Sequence, residues 1–138
     1  TAPTGHSLLL MDATGAYHRQ MVREFEGKAA ARIVTPLMRL QDADYTKIIL
    51  VTLPEATPVS QAAALQDDLR RAQIEPFAWV VNKSLLAIGT ADPLLQARLD
   101  SEKKQMQRVA AHTRHAVLVV PWTAQPPIGP SALEALLG

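Results

Sequence analysis

Three short runs of unbroken apolar residues punctuate the chain: KIILVTL (Lys47 to Leu53), FAWVVN (Phe77 to Asn82) and AVLVVP (Ala116 to Pro121). Each is rich in β-branched or aromatic residues without polar alternation, the pattern of parallel strands covered on both faces. Between them the period lengthens to that of helices. Thr57 and Pro58 read as N-cap and first helical position of a segment whose Val59, Ala62, Ala63, Leu65 and Leu69 keep mostly to one side. Asp92 and Pro93 repeat that signal for PLLQARLDSEKKQMQRVAAH, and Ser131 after Pro130 opens a terminal SALEALL. Near the start, SLLLM (Ser7 to Met11) suits a short strand or the first turn of a helix; no turn-former interrupts it before Thr14-Gly15, which favours helix. The order helix, strand, helix, strand, helix, strand, helix predicts an α/β fold with right-handed crossovers and a parallel sheet. Three or four strands make a thin sheet, so further strands are expected before Thr1. A sheet without those neighbours is expected to expose an apolar edge or face and to self-associate.

Composition narrows the picture. The chain has 138 residues, 48% of them hydrophobic, enough for one domain with a real core. A formal net charge of +1 gives no reason to expect nucleic acid or an anionic membrane as partner. Without cysteines these residues hold no disulfide and no thiolate metal site, which fits a reducing compartment. The apolar runs fall well short of the ~20 residues that span a bilayer, and no basic segment leads into an apolar one at the start.

In open parallel sheets, ligands bind beyond the carboxyl ends of the strands. That rule selects Pro54-Glu55, Asn82-Lys83 and the stretch from Pro121 to Gly129. Asn82 carries an acceptor and two donors, matching adenine N7 and N6; equally, its carboxamide can cap the loop. Lys83 suits solvent better than a purine face. Glu55 can contact a metal-bound water, a ribose or a partner subunit, or stabilise the start of the following helix by ~0.3–1 kcal/mol. Trp122 and the prolines of PWTAQPPIG can wall a flat ring or tie down a loop. His18, His112 and His115 show no metal-pair spacing and read as surface residues. Gly27-Lys28 lacks the preceding glycine and following Ser/Thr of a phosphate loop, and no Ser-His-acid or paired-carboxylate set stands out.

The opening TAPTGHSLLLMDATGAYHR resembles the DTAPTGHTL signature of the arsenite-efflux pump ATPases, minus its leading aspartate. The likeness continues in order through TPLMRLQD (Thr35 to Asp42), KIILVTLPEATPVSQAAALQDDL, FAWVVNKSL, DPLLQAR and VPWTAQPPIGPSALEALL. It is strongest to the carboxyl-terminal half of the two-halved bacterial proteins. The resemblance implies a deviant P-loop ATPase fold of which residues 1–138 form the carboxyl-terminal portion of one domain, the phosphate loop lying outside them. It also implies ATP and Mg²⁺ as cofactors and arsenite or antimonite as effector. The expected partners are a second homologous ATPase half or subunit and an integral membrane arsenite channel, with the protein cytoplasmic and peripheral at the inner membrane.

By the same resemblance, Thr1, Ala2, Pro3, Thr4, Gly5 and His6 form a switch motif coupled to the metalloid site, with His6 as its ligand. Asn82, Pro121, Trp122 and Thr123 fall at the adenine; Glu55, from its place after the first strand, is a candidate nucleotide or interface contact. Soft metalloids take thiolates first, with imidazole as a further ligand. Two departures stand out. Every cysteine ligand is absent, and Pro126 stands where related pump sequences carry an acidic residue. Without a phosphate loop, these residues by themselves are not expected to hydrolyse ATP. The targeting ATPases for tail-anchored membrane proteins share the signature, but Ala13 to Thr46 has no long Met-rich insertion to cradle an apolar client. A degenerate, non-catalytic α/β module for regulation or assembly is the remaining alternative.

Overall fold

The computed structural model describes residues 36–89 and 92–137, together with Ala16, Tyr17, Arg19, Gln20 and Arg23, whose backbone is helical. The expectations at Thr1 to His6, Ser7 to Met11, His18 and Gly27-Lys28 lie outside the described residues. From Pro36 onward the elements are α1 (Pro36–Gln41), β1 (Ile49–Thr52), α2 (Ala56–Arg71), β2 (Ala78–Ser84), α3 (Pro93–His112), β3 (Ala116–Pro121) and α4 (Pro130–Glu134), closed by a 3-10 turn, Ala135–Leu137. The three strands form one parallel sheet in the order β1-β2-β3. This is the α/β architecture expected from the alternation of periods, and all three apolar runs supply its strands.

Two compact units divide the chain: Thr1–Ile48 with Leu65–Phe77, and Ile49–Ala64 with Ala78–Gly138. In the first, α1 is a short helix that the hydropathy pattern does not announce. The Gln41 side-chain amide donates to the Ala72 carbonyl at 2.8 Å, and the Asp42 carboxylate accepts the Asp44 N–H at 2.9 Å, an Asx turn that stops the helix. Arg70 grips Glu75 with two guanidinium nitrogens, and that hydrogen bond holds the guanidinium pKa above its ordinary value.

The second unit holds the sheet. Its register pairs Ile49 with Ala78 and Ala78 with Ala116, so Leu50, Thr52, Trp79 and Val81 share one face while Ile49, Val51, Val80 and Leu118 share the other. Right-handed crossovers between consecutive neighbours carry both connecting helices to the same face. Burial follows that geometry. Leu50, Thr52, Trp79 and Val81 are buried with Val59 of α2 and with Leu99 and Val109 of α3. The Arg108 guanidinium of α3 donates to Ser60 Oγ of α2 at 2.9 Å. On the opposite face, Ile49, Val51 and Leu118 are exposed, Val51 at 63%. The expectation of strands covered on both faces is therefore corrected. Among the described residues burial alternates along β1, whose second face neither crossover serves, and β3, at the edge of the three strands, is largely open on both sides. The expected exposed apolar surface is present there.

The helix ends also refine the sequence reading. Val59 N–H donates to the Glu55 carbonyl at 3.0 Å, so Glu55, not Thr57, is the cap of α2. Pro58 then lies inside the first turn, where a missing N–H costs no helical hydrogen bond. Asp92 caps α3 as expected, accepting the Leu94 N–H at 2.8 Å, with Pro93 at the first helical position. For α4 the cap is Gly129 at φ 86°, a left-handed value open to glycine, with Pro130 first in the helix; Ser131 is inside it, not its cap.

Strand β2 runs two residues beyond Asn82, and its pairing with β3 shifts between Val81 and Ser84. Lys83 sits in that bulge at φ 61°. A non-glycine residue there costs about 1–2 kcal/mol relative to the right-handed regions.

Three measurements follow from this packing. Trp79, with no exposed surface, is expected to cost about 3–5 kcal/mol when truncated to alanine; a loss below about 1 kcal/mol in urea unfolding would contradict its place in the core. Lys83→Gly is expected to raise stability by up to about 1 kcal/mol and Lys83→Val to lower it by a similar amount, and equal responses would remove the left-handed assignment. Sedimentation of the 138-residue chain is expected to show concentration-dependent self-association that Val51→Asp with Leu118→Asp abolishes. A clean monomer at high concentration would argue against an adhesive open face.

Candidate functional site

Each strand of the sheet unit delivers a short polar segment at its carboxyl end, and two cavities form among them. The first, about 460 Å³, lies among Leu53, Pro54, Glu55, Lys83, Leu85, Leu95, Arg98 and Trp122. The second, about 470 Å³, is bounded by Asn82, Lys83, Pro121, Trp122, Thr123, Pro126, Pro127, Leu133 and their neighbours. Lys83 and Trp122 line both. The three segments selected from the sequence thus meet in one region, and Asn82, Pro121, Trp122 and Thr123 share a single cavity.

The bulge in β2 is what brings Asn82 and Lys83 to this place, since an extra residue bends the strand and re-aims its side chains. Asn82 Oδ1 accepts the Lys83 N–H at 2.9 Å. The loop-capping role open to this residue is therefore real, and it engages one lone pair of the carboxamide oxygen. A second lone pair and the two N–H donors complete its inventory. Trp122 is 46% exposed, and its backbone N–H donates to the Ser84 carbonyl at 2.9 Å, joining the end of β3 to the end of β2.

Glu55 faces the first cavity from the start of α2, and its carboxylate pairs with Arg98 at 3.5 Å. Both side chains are more than half exposed, so the pair contributes little stability. At the helix cap the carboxylate also lies where negative charge is favoured, as the simpler reading of this residue has it. His112 and His115 are exposed, as expected for surface residues. Among the described residues no group of three or more His, Asp or Glu side chains is gathered to hold a metal ion. No described helix is long and apolar enough to cross a membrane.

Three features escape a reading of the sequence. The left-handed backbone of Lys83 leaves no compositional mark, because lysine is not a residue that favours it. Arg98 sits on an exposed helical position like many others. Glu102 does leave a trace: it falls on the stripe Leu99, Glu102, Gln105, Val109 of α3, all buried. A carboxylate at a three-and-four spacing among core residues signals a satisfied internal acceptor.

The second cavity can accept a flat heteroaromatic ring. Its walls are prolines and an indole, its polar groups include a carboxamide and a hydroxyl, and its volume lies in the ~300–1,000 Å³ range of small-molecule sites. Nothing in either cavity supplies a nucleophile-base pair. The chain is 48% identical over 138 residues to an arsenical pump-driving ATPase of Escherichia coli, all of this chain aligning with 23% of that protein. It is 47% identical over 137 residues to the arsenical pump-driving ATPase of Acidiphilium multivorum, again covering 23% of it. The chain thus spans about a quarter of the length of these relatives. Residues 13–137 match the family described as anion-transporting ATPase, and the chain belongs to that family.

Proposed function

We propose that these residues are the carboxyl-terminal portion of a P-loop ATPase domain in a longer protein that drives arsenite or antimonite extrusion. The observation that carries this reading is the 48% identity, unbroken in coverage along the chain, to a protein named for driving an arsenical pump. In this reading the second cavity takes the adenine of ATP. Trp122 with Pro121, Pro126 and Pro127 supplies the flat apolar walls, and Asn82 and Thr123 address the edge of the base. The free lone pair and the amide donors of Asn82 suit adenine while its bond to Lys83 N–H stays in place. Glu55 and the first cavity then face nucleotide or a partner subunit.

The hydrolytic groups fall to residues beyond these. A phosphate loop there would cradle the triphosphate, Mg²⁺ would supply charge neutralisation, and water would be the nucleophile. The motif Thr1 to His6 relates the nucleotide state to the metalloid. Because the chain has no cysteine, the thiolates that arsenite prefers come from elsewhere in the protein, and His6 adds an imidazole. The partners in this scheme are a second homologous half or subunit and an integral membrane arsenite channel. The ATPase then works on the cytoplasmic side, peripheral at the inner membrane, without nucleic acid.

The test is ATP hydrolysis by the complete protein with and without arsenite. Stimulation by arsenite is expected, with His6→Ala reducing it. Asn82→Ala is expected to raise the KM for ATP about tenfold, the equivalent of ~1.4 kcal/mol, and to preserve the stimulation ratio. Hydrolysis indifferent to arsenite would move the reading to another branch of the fold, and an unchanged KM in Asn82→Ala would remove the adenine assignment.

A further inference from the structure

Glu102 lies midway along α3 and is 2% exposed. A carboxylate buried to that extent persists where donors surround it. Its oxygens accept the Ser84 hydroxyl and the backbone N–H groups of Leu85 (3.0 Å) and Leu86 (3.3 Å). Ser84 is itself fully buried and works in three directions. Its hydroxyl donates to Glu102, its Oγ accepts the Ala87 N–H at 3.2 Å, and its carbonyl accepts the Trp122 N–H at 2.9 Å. Ser84 is also the residue at which pairing with β3 resumes after the Asn82-Lys83 bulge. One buried residue therefore ends the bulge that presents Asn82 and, through its main chain, ties down the residue that supplies the indole wall.

We infer that Glu102, acting through Ser84, is a positioning residue for both walls of the second cavity: the Asn82 bulge on β2 and the Trp122 loop after β3. The carboxylate touches neither cavity, as it is absent from the lining of both. It acts by fixing the Ser84 rotamer and the backbone around it. A helix on the covered face thereby sets the geometry of a site at the sheet's carboxyl edge. The carboxylate form is suited to this, since all of its partners are donors and glutamine would turn an amide N–H toward one of them. The functional consequence, control of nucleotide affinity, rests on the adenine reading; the mechanical coupling of the two loops does not.

Hydrogen exchange measured by mass spectrometry on the complete protein separates these parts, with ADP as the probe. In the unmodified protein, peptides spanning residues 82–88 and 121–128 are expected to exchange slowly and to slow further with ADP. Glu102→Gln is expected to speed exchange in both loops without nucleotide and to raise the ADP concentration for half-protection about tenfold, while peptides of α3 and β1 stay protected. Ser84→Ala is expected to do the same, and it carries the test if Glu102→Gln does not fold. Asn82→Ala, which removes a base contact and leaves the clamp, is expected to weaken ADP protection without loosening the 121–128 loop. Loosening confined to residues 85–88, with the Trp122 loop and the ADP dependence unchanged, would overturn the inference and leave Glu102 a local cap. If ADP protects neither loop in the unmodified protein, the adenine reading fails, and the nucleotide-free exchange of the two loops still decides whether Glu102 couples them.

Discussion

Parallel pairing forces every connection in the sheet across one of its faces, and the handedness of those crossings decides which face is covered. With strands in the order β1-β2-β3 and no reversal, both α2 and α3 must lie on one side. Much of the rest follows from that constraint. Trp79 and Val81 on the covered side of the central strand become the core, with Leu50 beside them and Val59, Leu99 and Val109 above. The opposite face keeps Ile49, Val51 and Leu118 in contact with water. Their side chains are as apolar as the buried set, so the asymmetry is one of topology rather than composition.

The same constraint explains where chemistry can occur. With one face filled by aliphatic side chains, polar groups capable of recognition collect at the carboxyl edge, where strands end and helices have not yet begun. Even there the core reaches out. Glu102 belongs by position to the buried stripe of α3 and by hydrogen bonding to the loop after β2. A buried carboxylate satisfied by backbone donors exchanges general stability for a defined backbone path, because its acceptors are met by one arrangement of the chain and frustrated by others. The left-handed Lys83 is held within that arrangement, as a strained residue must be over-determined by its surroundings.

The fold was legible to the extent that it depends on period and punctuation. The strand at Ala116 to Pro121 and the helix opened by Asp92-Pro93 coincide with their signals, because an apolar run rich in valine and a capped helix each carry a local physical mark. Failures are of two kinds, helix starts misplaced by a second turn-former close by and features decided by partners distant in sequence. Thr57-Pro58 and Pro130-Ser131 resemble caps locally, yet Glu55 and Gly129 take those positions, shifting both starts by two residues. An unalternating run such as KIILVTL cannot reveal that one face of its strand stays open, since coverage is a property of strand order. At the candidate site, a general rule about strand ends selected Asn82 and Trp122, which share the lining of one cavity. It missed Glu102, which reaches the loop from eighteen residues after Ser84.

Asn82 shows why the structural and functional readings of a site residue need not compete. Taken as a cap, its carboxamide oxygen is occupied by the neighbouring N–H; taken as a base contact, the same oxygen is wanted by an amino group. A carbonyl oxygen has two lone pairs, so the first bond leaves the second available and also fixes the plane in which it lies. Capping therefore restricts the rotation that an unrestrained carboxamide would lose on meeting a ligand. The bond to Lys83 N–H depends on the bulge, and the bulge ends at Ser84, which Glu102 holds. The orientation of a single amide at the rim is, on the inference drawn from Glu102, set by a buried carboxylate in the middle of a helix. If this edge takes a base as proposed, recognition there depends on how completely that carboxylate is satisfied as much as on the groups that face the cavity.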